Sequence, residues 1–210
     1  MKENKKEALA KFHRDNIISA SERLFISKGI GNTSMDDIAS ESGYSKATLY
    51  VYFKNKDEIV GTITLIGMKM LLHIVRESIA GHEDFKSQYY ALCYAFVDFQ
   101  EKHPFHSENI LSEINVDLEL EETPKIYREI YNVGEQLNTE IVTMFQRGIV
   151  QGAVKNDIKP LQASLIFWAS IQGIIRMANQ KKKYLEKCLE LDLKDFLKYS
   201  FELLYQAIQK

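Results

Sequence analysis

The chain has little that would interrupt a helix or cross-link a fold. It carries only 3 prolines and 10 glycines in 210 residues, and long segments without breakers favour helix throughout. No run alternates apolar and polar residues for long enough to argue for a sheet. Cys93 and Cys188 are the only cysteines, too few for a disulfide framework and not spaced as a C-x-x-C metal site. Cys93 lies in an apolar helical stretch and reads as a core residue. Met1–Arg14 lacks the apolar segment of a signal peptide, and no stretch approaches the roughly 20 apolar residues of a membrane span. A soluble cytoplasmic protein with no membrane partner is expected. No Ser/His/Asp or Cys/His arrangement stands out, and there is no Gly-rich phosphate loop. Neither catalysis nor a cofactor is therefore expected. The net charge of -2 rules out a globally basic chain, though local basic surfaces remain open. Lys2, Lys5, Lys6, Lys11 and Arg14 face only Glu3 and Glu7, so this stretch is either an arm able to reach phosphates or a solvated tail.

What is present is most informative between Thr33 and Phe53. Two short helix patterns are joined there by a tight turn. Ser34 has N-cap chemistry and Asp37 follows three residues later, the spacing of a capping box. Ile38 and Ala39 face inward, and the small Ala39 lets a second helix lie close. Gly43 suits a turn that requires positive φ. Ser45 can cap the second helix, whose buried stripe is Leu49 and Phe53. Lys46, Ala47 and Tyr50 fall on another face, with Thr48 and Tyr52 flanking it. This is the layout of a helix-turn-helix, which sets one helix in the major groove of DNA. Asn55 and Glu58 repeat the capping-box spacing at the next helix, with Lys54 and Lys56 beside an N-terminus that suits a phosphate. Upstream, Ile17, Ala20, Leu24 and Phe25 recur at helical spacing, and Gly29, Gly31 and Asn32 break the pattern.

These residues resemble the TetR (tetracycline-repressor-like) family of bacterial transcription regulators. The match is carried by Phe25, Gly29, Thr33-Ser34, Ile38-Ala39, Gly43, Ser45-Lys46-Ala47-Thr48-Leu49-Tyr50, Tyr52-Phe53 and Lys54-Asn55-Lys56-Asp57-Glu58. It covers the first quarter to third of the chain. The resemblance implies an all-α homodimer of about nine helices. A three-helix DNA-binding domain at 11–71, with its motif at about 34–53, would precede an effector-binding and dimerisation domain at 72–210. It implies Ser45, Lys46, Ala47, Thr48 and Tyr50 toward base edges, and Thr33, Ser34, Tyr52 and Lys56 on phosphates. The partners it implies are double-stranded operator DNA, a second copy of the chain and a small-molecule effector. Tyr44 stands where a smaller aliphatic residue is usual, and Val51 where histidine is frequent.

The rest of the chain reads as helix after helix. One runs from Lys56 to about Ile79, with Ile59, Ile63, Ile66, Met70 and Ile74 near one face and Gly61 and Gly67 weakening it locally. Phe85 to Lys102 follows, with Phe85, Tyr89, Leu92, Cys93, Phe96 and Phe99 at helical spacing, ended by Pro104. A short helix is expected from Ser107 to about Val116, then an acidic connection at Glu119–Thr123. Pro124 opens a long helix to about Val150, closed by Gly152. Pro160 opens another to about Asn179, Gln180–Lys183 form a basic break, and a terminal helix carries Leu193, Phe196, Leu197, Phe201, Leu204 and Ile208. The family resemblance implies that these last two helices pair with their copies in a second chain, which makes Leu165, Ala169, Gly173, Phe201 and Leu204 the candidate dimer residues; the alternative is packing into the chain's own core. Tyr89, Phe96, Tyr127, Tyr131, Phe167 and Trp168 are candidate walls for an apolar or aromatic effector, although aromatics at helical spacing also serve as plain core. His103 and His106 form H-x-x-H, which suits either a metal ligand pair or a helix end at the surface. A DNA-binding repressor released by an effector is the reading these features favour. The alternative is a helical small-molecule-binding protein or enzyme whose N-terminal unit is structural.

Overall fold

The computed structural model describes residues 2–110 and 124–210. Ten α-helices occur among them: α1 Lys2–Lys28, α2 Met35–Ser42, α3 Lys46–Tyr52, α4 Lys56–Ala80, α5 Phe85–Lys102, α6 Pro104–Ile110, α7 Lys125–Val150, α8 Pro160–Gln180, α9 Lys182–Cys188 and α10 Leu193–Ile208. The chain divides into two compact units, Met1–Met68 with Phe105–Tyr131, and Lys69–Pro104 with Asn132–Lys210.

In the first unit, α1 buries Ile17, Ala20, Ser21, Leu24 and Phe25, an i, i+3, i+4, i+7, i+8 stripe. The basic stretch at its start is neither a loose arm nor a tail, because the helix continues back to Lys2. No glycine or proline interrupts residues 2–28, so propagation meets no obstacle. Gly29 stops it at φ +82, a left-handed geometry that glycine adopts without a Cβ clash. Ile17, Ile18, Leu24, Phe25, Ile38, Ala39, Leu49, Phe53, Ile59 and Ile63 form one buried cluster. Phe105 of α6 packs against it, its ring 6.3 Å from that of Phe25. α4 belongs to this unit as far as Met68, and its glycines mark close approaches. A Cβ at Gly67 would lie 3.0 Å from the His106 side chain, and one at Gly61 would lie 3.2 Å from Ile126.

Two sequence expectations change here. The buried face of α4 runs through Ile59, Ile63, Leu71, Leu72, Val75 and Ile79, whereas Ile66 is 36% exposed and Met70 and Ile74 are half-buried. α4 is also long and apolar enough by composition to cross a bilayer, but 56% of its most apolar window is buried in protein, the mark of a core helix. The short helix expected from Ser107 begins earlier, at Pro104, which occupies the position where a missing N–H costs nothing. Its expected continuation to Val116 and the acidic connection at Glu119–Thr123 lie outside the described residues.

The second unit is built on aromatic packing. Phe85, Tyr89, Leu92, Cys93, Phe96 and Phe99 are all buried along α5, the stripe the sequence spacing indicates. Tyr89 packs on Phe167 at 5.4 Å and on Tyr205 at 5.2 Å. Phe96 meets Trp168 edge-on at 5.2 Å, an arrangement that favours the ring quadrupoles. A Cβ at Gly148 would lie 2.5 Å from Phe85, so α7 can pass this cluster only with glycine there. The expected basic break at Gln180–Lys183 is instead the junction into α9, where Leu185 supplies the buried contact.

Candidate nucleic-acid interface and ligand cavity

Local caps fix each element of the helix-turn-helix. Ser34 Oγ accepts from Asp37 N–H at 3.1 Å, and Asp37 accepts from Ser34 N–H at 2.9 Å. The capping box is therefore complete. These bonds to Ser34, with Lys28 Nζ 3.1 Å away, hold the Asp37 carboxyl well below its ordinary range. Gly43 turns the chain at φ +73, its N–H donating to the carbonyls of Ala39 and Ser40. Ser45 caps α3 by accepting from Thr48 N–H at 3.1 Å. Asn55 accepts from Glu58 N–H, and Glu58 accepts from Lys54 N–H, at 2.9 and 2.7 Å.

α3 is thus pinned by its buried side and its ends. Leu49 is fully buried and Phe53 is 1% exposed. On the far side Ser45, Lys46 and Ala47 are exposed, and Tyr50 is 47% exposed. Thr48 is half-buried, its hydroxyl 2.8 Å from that of Ser45. The five expected base-reading residues therefore lie together on one short helix and its N-cap. Of the four expected phosphate residues, Ser34 is exposed and Tyr52 is half-buried. Thr33 does not fit the role: it is 2% exposed and its hydroxyl donates to Gly29 O at 2.9 Å. It closes the α1–α2 turn instead. Lys56 is half-buried, and its ammonium donates to Ile30 O at 2.7 Å and Thr33 O at 2.9 Å. Two of its three N–H groups bind that loop, which leaves one for an outside acceptor.

α1 contributes residues that the motif spacing gives no way to find. Arg14 donates to Tyr52 O at 2.6 Å and its guanidinium sits 4.2 Å from the Phe53 ring centre, a cation–π contact. His13 Nδ1 and Tyr44 Oη share a 2.6 Å hydrogen bond, and the His13 and Tyr52 rings lie 5.6 Å apart. Tyr44, the larger residue at a usually aliphatic position, thus ties the turn to α1. Asp36 is the other addition. Its carboxylate lies 2.8 Å from the Lys46 ammonium, and their hydrogen bond raises the Lys46 pKa above its ordinary value.

The second unit holds a cavity of about 330 Å³ lined by Tyr89, Phe145, Ile158, Ile166, Phe167 and Leu204, with Asp157, Lys159, Gln162 and Ser170 as its polar groups. This volume suits a small ligand. Of the expected pocket residues, Tyr89 and Phe167 line it. Phe96 is fully buried in the aromatic core, with Trp168 against it. Tyr127 and Tyr131 lie in the first unit and do not line this cavity. Periodicity could not separate these cases, because a wall and a core residue have the same spacing. Among the expected dimer residues, Leu165, Ala169 and Gly173 are exposed and Leu204 is half-buried. Phe201 is fully buried and accepts from Tyr89 Oη at 3.0 Å, so it is a core residue. His103 caps α5 against the Phe99 ring, and His106 lies 3.4 Å from Glu22. No group of three or more potential metal ligands occurs among the described residues.

Residues 17–63 match the model of bacterial regulatory proteins, tetR family, the span that holds the helix-turn-helix. The chain is 32% identical over 196 residues to the uncharacterized HTH-type transcriptional regulator YerO of Bacillus subtilis, covering 79% of this chain and 66% of the relative. It is 25% identical to an uncharacterized HTH-type transcriptional regulator of Haemophilus influenzae, covering 93% and 95% of the two chains. Among solved structures, SmeT, the repressor of the Stenotrophomonas maltophilia multidrug efflux pump SmeDEF, superposes with a TM-score of 0.67 at 17% identity over 94% of this chain and 90% of that one. The chain belongs to the TetR family of bacterial regulatory proteins and is a helix-turn-helix transcriptional regulator.

Proposed function

We propose that the protein is a homodimeric repressor that reads a near-palindromic operator and is released by an apolar small molecule. The observation that carries the reading is α3: Lys46, Ala47 and Tyr50 point to solvent from a helix whose Leu49 is wholly buried. Ser45, Lys46, Ala47, Thr48 and Tyr50 meet base edges. Ser34 and Tyr52 meet phosphates, with the remaining N–H of Lys56. DNA binding belongs to residues 11–71, and effector binding and dimerisation to 72–210. Two such heads engage major-groove faces about 34–36 Å apart. The site of action is the cytoplasm, where the DNA lies.

Dimerisation is assigned to α8 and α10. Leu161, Leu165, Ala169, Gly173 and Met177 recur every fourth residue on α8, all exposed. Tyr199 and Leu203 on α10 are 68% and 55% exposed. A long row on α8 beside this exposed pair on α10 suits helix-on-helix packing with a second copy. The effector is assigned to the cavity beside Tyr89, Phe145 and Phe167. Release requires only that the ligand bind the DNA-free state more tightly. SmeT, which shares the fold, is a repressor, and repression is the role we propose for this chain.

Genomic-fragment selection with the purified protein tests the reading. The expected result is enrichment of a short inverted repeat. Lys46→Ala with Tyr50→Ala should abolish its selection while the far-ultraviolet spectrum and oligomeric state stay unchanged. Retained footprinting by that double variant would remove α3 from the reading role. Leu165→Glu with Leu203→Glu should yield monomers by light scattering, and an intact dimer would reject the assigned face.

A further inference from the structure

Lys46, the one cation among the base-reading residues, is not free in the DNA-free head. Its ammonium lies 2.8 Å from Asp36 Oδ1 and 3.0 Å from Oδ2, a contact across the turn between α2 and α3. The other acidic residues of α2 are engaged elsewhere. Asp37 holds Ser34 and Lys28, and Glu41 pairs with Arg23 at 2.9 Å. Asp36 and Lys46 are both well exposed, at 68% and 54% of their side-chain surfaces. An exposed pair of this kind shifts an equilibrium by only a few-fold, so DNA can open it.

The two kinds of acceptor that DNA offers are not equivalent to this pair. A phosphate carries full negative charge, and a lysine reaching for it from beside Asp36 brings two anions together. A base edge carries no net charge. The guanine O6 and N7 acceptors can take one N–H of the ammonium while another N–H still faces Asp36, since lysine has three donors. We propose that Asp36 is a specificity-determining residue: it withholds Lys46 from the phosphates of arbitrary duplexes and yields it to a base acceptor in the operator. The proposal rests on the assignment of α3 as the reading helix. Within that reading, Asp36 lowers non-specific affinity more than operator affinity, and so widens the ratio between them.

The test is a salt titration of binding by fluorescence anisotropy. Its two probes are a duplex of randomised sequence and the inverted repeat enriched by genomic selection. Wild type, Asp36→Asn, Lys46→Ala and the double variant are compared. Asp36→Asn should bind the random duplex about two- to fivefold more tightly per head and gain less on the inverted repeat. Its salt slope on the random duplex should steepen by about one unit per head, as one further phosphate contact requires. In the Lys46→Ala background the same substitution should change neither quantity. Asp36→Ser should repeat the Asp36→Asn result. Unchanged random-duplex affinity and slope in Asp36→Asn would overturn the proposal. So would an equal gain in the Lys46→Ala background, since the carboxylate would then repel phosphates by itself. Undiminished inverted-repeat binding by Lys46→Ala alone would instead reject the reading helix, a separate failure that removes the ground beneath the proposal.

Discussion

The two compact units use the same material, amphipathic helices over aliphatic and aromatic cores, but assemble their candidate binding surfaces over different distances along the chain. In the first unit, one seven-residue helix presents Lys46, Ala47 and Tyr50, and its cap bonds join residues three or four positions apart. In the second, the cavity gathers Tyr89, Phe145, Phe167 and Leu204 from four helices. A surface fixed by local bonds has a local signature in sequence. A surface fixed by packing has none, because the same apolar spacing serves wall and core alike. The difference also separates what substitutions do. Exposed residues of α3 can change without disturbing the fold, whereas residues around the cavity also hold up the second unit.

The largest expected effect sharpens that contrast. Phe96→Ala removes a fully buried ring packed on Phe167 and Trp168 and should cost about 3–5 kcal/mol in chemical denaturation. Lys46→Ala with Tyr50→Ala, in two exposed residues, should leave the denaturation midpoint within about 0.5 kcal/mol of wild type while removing operator binding. Equal stability losses in the two variants would erase the distinction between the surfaces. Next in size, Ser34→Ala deletes the cap of α2 and should cost about 1 kcal/mol, read from the same denaturation curves. A cost below detection would show that the turn is held by packing and not by its caps. Ala163→Phe, at the cavity wall, should weaken binding of an apolar fluorescent dye to the second unit and leave affinity for random-sequence duplex unaltered. Undiminished dye binding would place the dye elsewhere.

The smallest effect is in pH. The Asp37 carboxyl is held below its ordinary value by Ser34 and Lys28. Folding therefore binds fewer protons than the unfolded chain as Asp37 titrates. Its contribution is present above the unfolded value of 3.8 and is lost as pH falls through the lower folded value. Thermal unfolding monitored below about pH 4 should show this decline, and Asp37→Asn should flatten it. An unchanged acid limb in that variant would mean that other carboxylates govern it, Asp84 and Glu202 being held low in the same direction by Ser87 and Tyr90 respectively.

Much of the head was legible because its signals are short-range. Ser34, Gly43, Ser45 and Asn55 announce helix ends through hydrogen bonds to residues three or four positions away. The inward turn of Thr33 and Lys56 was not legible for the opposite reason. Both side chains turn inward to satisfy carbonyls of the α1–α2 loop, and only the folded loop shows those acceptors. Arg14, His13 and Asp36 were invisible because their partners Tyr52, Tyr44 and Lys46 lie across the fold or across a turn. In the second unit the α5 stripe from Phe85 to Phe99 was readable position by position. α9 was missed because Lys181–Lys183 mask a single buried leucine, Leu185.

The amino-acid order alone determined most of the helices, the stops at Gly29, Gly43 and Gly152, and the residue types on α3. Each depends on backbone geometry or on neighbours within a turn or two, where chain entropy costs least. Tertiary structure alone decided that Phe201 supports the core while Leu165 faces out, that Tyr89 and Phe167 line a cavity while Phe96 does not, and that Lys46 rests on Asp36. Those outcomes turn on which faces meet across long loops, and no residue carries that information within its own segment.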